Sequence, residues 1–221
     1  MAIDILLVNP PLSLQERYGA FASVGSQTPP LGLCSLAAMV RKSGYGVSIL
    51  DAPAMDMDLR ATVHALENSQ CRLIGITATT ASIIRASELA QGIRASGITR
   101  PILIGGAHVS ALPEQTLQEF PQFDLGVINE GEYTLIEVIE AYKSGGGFQG
   151  IDGIVFRDKD EIITTKPRDL IHNLDDLPFP AWDLIPDLAT YYKPAPHSYF
   201  QLPSSSLMTS RGCNGKCTFC A

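Results

Sequence analysis

Short apolar runs alternate with longer amphipathic stretches along the first two thirds of this chain. Short apolar runs rich in β-branched residues predict buried strands, and stretches with apolar residues three and four positions apart predict helices. The predicted strands span residues 3–8, 47–51, 73–77, 101–106 and 125–128. The predicted helices span residues 31–42, 58–68, 82–95, 113–119 and 132–143.

Strands that alternate with helices form a parallel sheet covered by helices, because right-handed crossovers place helices on its faces. We therefore predict an α/β fold for residues 1–145. It is a doubly wound, flavodoxin-like domain with five parallel strands in the order 2-1-3-4-5.

The pattern changes after three consecutive glycines at 145–147. Residues 153–157 and 161–165 flank a polar turn and predict a β-hairpin. Residues 166–206 contain seven prolines and little periodicity, yet they include Phe179, Trp182 and Tyr192, which make them too apolar for a free linker. We expect residues 146–206 to be a hairpin and a connector that packs along the domains on either side.

The last stretch carries three of the five cysteines, Cys213, Cys217 and Cys220, in the spacing C-x3-C-x2-C. Gly212 and Gly215 allow such a loop to turn tightly, so its thiolates can face one metal centre. Soft thiolate ligands favour zinc or an iron–sulfur cluster. Structural zinc takes four protein ligands, whereas three thiolates suit a four-iron cluster with one open iron.

With Phe219 just before its last cysteine, this loop resembles the C-x3-C-x-aromatic-C signature of the radical S-adenosylmethionine (SAM) enzymes. The resemblance implies that Cys213, Cys217 and Cys220 hold a [4Fe-4S] cluster beside Phe219. SAM would bind the open iron and be cleaved to a 5′-deoxyadenosyl radical. Zinc remains the alternative.

The same resemblance implies that residues 207–210 form the first strand of a TIM-type barrel and that residues 207–221 begin a second domain. Such a barrel needs on the order of 200 residues, and one residue follows Cys220. We expect the sequence to end inside that domain, and this part alone to be inactive.

Composition and charge narrow the class of protein. No apolar run approaches the ~20 residues of a membrane span, and prolines interrupt the N-terminal apolar run too early for a signal peptide. The net charge of −7 argues against nucleic acid as the main partner. Five cysteines, three of them clustered, fit a reducing compartment, so we expect a cytoplasmic protein with no membrane span.

Ligands of doubly wound sheets bind at the carboxyl ends of the strands. The candidate residues there are Asn9, Pro10, Thr77, Thr79, Gly105, Gly106, His108, Glu130 and Gly131. Glycines, hydroxyls and short polar groups suit a large ligand that lies close to the backbone. His108 either contacts that ligand or starts a helix. No G-x-G-x-x-G follows the first strand, and the chain has no P-loop.

Together the strand ends, the hairpin, the connector at 174–181 and the cysteine loop resemble the cobalamin-binding radical SAM enzymes over the whole chain. In related domains the nucleotide tail of cobalamin runs between hydroxyls after the third strand and a glycine pair after the fourth. Thr77, Thr79, Gly105 and Gly106 match those places. Other cobalamin domains ligate cobalt with a histidine after the first strand, where this chain has Asn9 and two prolines. The resemblance therefore implies a cobalt without that ligand, or a member that has lost the cofactor.

The function that this resemblance implies is that of a methyltransferase acting on an unactivated carbon or phosphorus. Its cofactors would be a [4Fe-4S] cluster, SAM and cobalamin. Its partners would be a small-molecule or peptide substrate and a flavodoxin or ferredoxin as electron donor. The alternatives are radical rearrangement, oxidation or cyclisation, a corrinoid-binding module without catalysis, and a zinc-stapled Rossmann-like scaffold. Methylthio transfer to transfer RNA fits less well, because only Cys34 and Cys71 lie outside the loop.

A substitution at the glycine pair tests where the ligand lies. We expect a bulky side chain at Gly106 to exclude cobalamin while the sheet stays folded.

Overall fold

The computed structural model describes residues 2–213, 215 and 217–218, and within them seven strands form one sheet in the order β2-β1-β3-β4-β5-β6-β7. The strands are β1 (Ile5–Asn9), β2 (Val47–Asp51), β3 (Leu73–Thr77), β4 (Ile102–Gly105), β5 (Leu125–Val127), β6 (Ile154–Asp158) and β7 (Glu161–Thr164). The helices are α1 (Leu14–Tyr18), α2 (Leu31–Lys42), α3 (Leu59–Asn68), α4 (Ile83–Ala95), α5 (Ala107–Ala111), α6 (Pro113–Glu119), α7 (Glu132–Ser144) and α8 (Leu188–Tyr191).

The first five strands pair in parallel, and their predicted order 2-1-3-4-5 is confirmed. The hairpin differs from the prediction because it continues the sheet instead of standing apart. Strand β6 pairs with β5 and with β7, both antiparallel. This pairing satisfies backbone groups of β5 that an open edge would leave exposed. The apolar pattern predicts a hairpin but does not specify which edge it joins.

Both faces of the sheet are buried. Ile5 and Leu7 of β1 pack with α2 and α7 on one face, while Leu6 and Val8 pack with α3 and α4 on the other. A strand buried on both sides has no polar alternation, which explains the continuous apolar runs of the sequence.

Three short helices, α1, α5 and α8, were not predicted. Ser13 caps helix α1 at its N-terminus: its hydroxyl accepts the backbone N–H of Glu16, while the Glu16 carboxylate accepts the N–H of Ser13. This reciprocal capping stabilises a helix of five residues, which is too short for an apolar period to show. Helix α5 follows β4 directly and includes His108.

The connector lies against the sheet domain. Tyr192 is almost fully buried and donates its hydroxyl to Asp51 Oδ2 at 2.7 Å. The Ala181 N–H donates to the carbonyl of Cys34 at 3.0 Å, and Arg41 binds both carboxylate oxygens of Asp183. These contacts fix the connector against α2 and the end of β2.

The strand predicted at residues 207–210 is not formed. Within the described chain these residues pair with no other strand. A strand forms only against a neighbour, and residues 207–210 lie instead along a cavity at the end of the sheet.

Candidate cofactor cavity

A cavity of about 990 Å³ lies at the carboxyl ends of β3 and β4. It is enclosed by the first turns of α2, by the loop between β5 and α7, by the connector and by residues 207–212. Leucines of α2 and the Pro178–Phe179–Pro180 stretch give it apolar walls, and the strand ends supply its backbone and hydroxyl groups. A mostly apolar cavity with a few polar groups is typical of cofactor sites.

Five of the residues predicted from the strand ends line this cavity. They are Thr77, Gly105, Gly106, Glu130 and Gly131. They come from three neighbouring segments of the sheet, which the parallel topology brings to one edge. These residues are therefore placed where one ligand could touch all of them.

The other four predicted contacts do not line the cavity. The Asn9 side-chain amide donates to Asp51 Oδ1 at 2.8 Å, and Pro10 is buried. Thr79 is exposed and its hydroxyl is 3.2 Å from that of Ser82. His108 is buried, with Nδ1 3.3 Å from the Thr80 hydroxyl oxygen.

The two glycines after β4 have different surroundings. A Cβ at Gly105 would meet no atom within 4 Å, so this position opens onto the cavity. Gly106 has a φ of +104°, and a Cβ there would lie 2.5 Å from the carbonyl oxygen of Ala78. A bulky residue at Gly106 would therefore collide with the backbone of the neighbouring segment, which argues against the expectation that the sheet tolerates it unchanged.

Two glutamates at the cavity bind an arginine from the far end of the chain. Arg211 Nη1 is 2.8 Å from Glu130 Oε1, and Arg211 Nη2 is 2.5 Å from Glu132 Oε1. The second oxygen of Glu130 accepts the backbone N–H of Ile171 at 2.6 Å. Hydrogen bonds to Glu132 and Glu130 raise the pKa of Arg211. We refer to these two ion pairs as the arginine bridge.

Sequence reasoning did not single out Arg211 as a contact. Its partners lie about 80 positions earlier in the chain, so no local spacing points to them. The available signal was its place two residues before Cys213, combined with two glutamates at a strand end.

Asn9 belongs to a buried polar group rather than to the cavity. Asp51 is fully buried and accepts hydrogen bonds from Asn9 and from Tyr192. Burial raises the pKa of Asp51, although both hydrogen bonds act in the opposite direction. The group joins β1, β2 and the connector.

Two cysteines of the loop are described, and both are exposed. Their sulfurs lie around Gly215, whose backbone N–H donates to Cys213 Sγ at 3.2 Å. A Cβ on Gly215 would be 3.2 Å from Cys213 Sγ and 3.5 Å from Cys217 Sγ. Gly215 thus leaves space between two of the predicted ligands.

The third predicted ligand, Cys220, and its neighbour Phe219 lie outside the described residues. Among the residues that are described, no three histidine, cysteine, aspartate or glutamate side chains form a group that could hold a metal ion. No helix in that part of the chain combines the length and the apolar character needed to cross a membrane.

Several known proteins are similar to this chain. The model of the B12 binding domain matches residues 19–139. An uncharacterized methyltransferase, PH0819, of Pyrococcus horikoshii is 35% identical over 220 residues, which are 99% of this chain and 45% of that protein. The anaerobic magnesium-protoporphyrin IX monomethyl ester cyclase of a Synechocystis species is 30% identical over 227 residues, covering 98% of this chain and 42% of that protein.

A solved structure has the same fold. The radical S-adenosylmethionine methyltransferase TsrM from Kitasatospora setae, with cobalamin and a [4Fe-4S] cluster bound, superposes with a TM-score of 0.63 at 22% identity. The match covers 78% of this chain and 30% of that one. The chain spans less than half the length of the curated relatives described above.

Proposed function

Because the chain belongs to the B12-binding domain family, we propose that the cavity at the ends of β3 and β4 binds cobalamin. We propose further that the complete protein is a radical SAM enzyme that transfers a methyl group to an unactivated carbon or phosphorus centre. The observation that carries this proposal is the cavity itself, which is lined mostly by residues of the matched region and borders the segment that leads into the cysteine loop.

The residues of the cavity fit cobalamin. Gly105 offers open space beside the backbone, where the cofactor can approach without meeting a side chain. Thr77 supplies a hydroxyl on the adjacent strand, since it pairs with Gly105 in the sheet. The apolar walls from α2 and the connector suit the faces of a large macrocycle.

The cysteine loop fits an iron–sulfur cluster. The two described sulfurs both lie close to the position that a Cβ of Gly215 would take, both cysteines are exposed, and Cys220 completes the signature. We propose that Cys213, Cys217 and Cys220 hold a [4Fe-4S] cluster whose open iron binds SAM, with Phe219 beside it. When bound, the cluster delivers the electron that cleaves SAM, and cobalamin carries the methyl group.

The role of this chain is to hold these groups in reach of one another. Residues 1–145 would form the cobalamin domain, residues 146–206 the hairpin and connector, and residues from 207 onward the start of the radical SAM domain. The substrate would be a small molecule or peptide, and a flavodoxin or ferredoxin would be the reductant. The methyltransferase relative, which matches nearly all of this chain, supports methyl transfer as the reaction.

Hydroxocobalamin titration of the full-length protein tests the cavity. We expect the wild type to bind and Gly105→Leu to lose roughly 100-fold in affinity, because the new side chain occupies space that the ligand needs. Gly150→Leu is the matched control, since Gly150 also has no atom within 4 Å of its Cβ position but lies outside the cavity. A folded wild type that does not bind would refute cobalamin, and unchanged affinity in Gly105→Leu would refute its placement.

Anaerobic reconstitution tests the cluster. We expect about four irons and four sulfides per full-length chain, as three thiolates and one open iron require. Replacing Cys217 by serine should lower the iron content sharply, whereas replacing the buried Cys71 should not. Stoichiometric zinc without sulfide would contradict the cluster.

A further inference from the structure

Arg211 joins two parts of the molecule that the proposed function needs to hold together. Its guanidinium binds Glu130 and Glu132 beside the cavity, and its backbone leads into Cys213 two residues later. We infer that Arg211 is a positioning residue, which fixes the cysteine loop at the mouth of the cavity through the arginine bridge. The positioning role rests on the proposed function, whereas the arginine bridge itself is observed in the structure.

The arginine bridge is largely shielded from water. The side chains of Arg211, Glu130 and Glu132 are 25%, 18% and 6% exposed. Two carboxylates on one guanidinium fork form directional, charge-assisted bonds that a surface ion pair lacks. Without Arg211, two partly buried like charges would face each other, which is a costly arrangement.

The backbone does not account for the position of residues 207–213. They form no helix or strand, and in the described part of the chain no backbone hydrogen bond ties them to the sheet. The arginine bridge is their specific polar attachment to the β5–α7 loop and to the first residue of α7. Side chains of the bridge, rather than secondary structure, therefore set where this segment lies.

Local structure holds both glutamates in position to accept hydrogen bonds from Arg211. Glu130 uses one oxygen for Arg211 and the other for the Ile171 N–H of the connector. Glu132 is the first residue of α7, where the N-terminal end of the helix favours a carboxylate. Both side chains are thus held by local structure, and they present a fixed acceptor pair to the arginine.

The cavity and the cysteines share this segment. Residues 207–212 form one wall of the cavity, and Cys213 follows immediately. A change in the arginine bridge would therefore move a cavity wall and a cluster ligand together. This arrangement couples cofactor binding in the cavity to the placement of the loop.

Hydrogen exchange in the full-length protein, measured without added cobalamin or iron, tests the attachment. We expect Arg211→Ala to speed backbone exchange in residues 207–213 by about tenfold or more. The pair Glu130→Gln with Glu132→Gln should do the same, and combining it with Arg211→Ala should add little, because all three act through one interaction. Arg211→Lys should restore part of the protection.

The matched control is Arg41→Ala, which removes another two-pronged arginine–carboxylate pair, this one between α2 and the connector; neither Arg41 nor Asp183 lines the cavity. It should leave exchange in residues 207–213 unchanged. Unchanged exchange in Arg211→Ala, or effects of the arginine and glutamate variants that simply add, would overturn the attachment.

Hydroxocobalamin affinity and reconstituted iron content test the positioning role. We expect Arg211→Ala to lose about tenfold in affinity and part of its iron, with both preserved in Arg41→Ala. Normal values in Arg211→Ala despite faster exchange would refute positioning. Failure of the wild type to bind cobalamin would instead refute the proposed function, and the exchange result would stand independently of it.

Discussion

The sheet and residues 193–213, which comprise the end of the connector and the segment after it, are held in place by different means. Strand β1 is hydrogen-bonded on both sides and buried on both faces, so its position follows from backbone pairing and apolar packing. Residues 193–213 contain one short turn of 3-10 helix and an isolated bridge between Lys193 and Gln27. Individual polar contacts, chiefly the arginine bridge, fix the rest.

This difference matters because the cavity has walls of both kinds. The ends of β3 and β4 provide a rigid side, and residues 207–212 provide a side that depends on a few side chains. Ligand-binding elements are commonly drawn from the less stable parts of a fold. The sheet can thus keep its shape while the opposite wall adjusts to a cofactor.

The cysteines should distinguish the two regions most strongly. Cys34 is fully buried in the sheet domain, and burial raises the pKa of its thiol to about 12. Cys213 and Cys217 are exposed. Because the thiolate is the reactive form, alkylation of Cys34 at pH 8 in the metal-free native protein should be at least ~1,000-fold slower than that of Cys213 or Cys217. Peptide mass spectrometry over time measures this, and comparable rates would show that the α2 face opens readily.

The glycine pair offers the next largest effect. Gly106→Ala should lower the free energy of unfolding by more than about 3 kcal/mol, because it combines a positive φ with a collision against Ala78. Gly105→Ala should change it by about 0.5 kcal/mol or less, since its Cβ meets nothing. Urea denaturation of both variants decides this. Equal free energies of unfolding for the two variants would mean that the backbone at the ends of β3 and β4 shifts to relieve the collision as freely as residues 193–213 can move.

The same contrast explains which features the sequence predicts. Apolar runs and Pro/Gly punctuation predicted the five strands, because those signals are local and recur with each element, and the alternation of strands with helices gave their parallel order. The motifs of the strand ends and of the cysteine loop indicated a cobalamin-binding radical SAM protein, and the B12-binding family match over residues 19–139 confirms the B12-binding part of that resemblance.

Contacts between distant residues were not predictable in the same way. Asn9 was expected at a ligand but binds Asp51 on the neighbouring strand, and the arginine bridge joins residues about 80 positions apart. Such pairs have no spacing rule. They depend on which strands and loops become neighbours, which only the complete topology determines. The roles of Cys220 and Phe219 stay predictions, because both lie outside the described residues.

Tyr192 marks the boundary between the two regions, and its substitution should have the smallest of these effects. Its hydroxyl donates to the buried Asp51, so Tyr192→Phe should cost about 1–2 kcal/mol of unfolding free energy near neutral pH. Tyr191→Phe is the matched control, because Tyr191 is the adjacent residue and its side chain is considerably exposed.

The cost of Tyr192→Phe should depend on pH in a defined direction. Burial raises the pKa of Asp51 in the folded protein, while the Tyr192 hydrogen bond lowers it, so removing that bond raises the folded pKa further. A carboxyl whose pKa is higher in the folded than in the unfolded protein contributes most to the free energy of unfolding below its unfolded pKa. That contribution is lost as the pH rises through the folded pKa. Over that pH range the Tyr192→Phe variant loses more free energy of unfolding than the wild type does. Its destabilisation relative to the wild type should therefore be smaller near pH 4 than near pH 7. Chemical denaturation at several pH values measures the difference, and a cost that shrinks as pH rises would contradict a hydrogen bond to ionised Asp51.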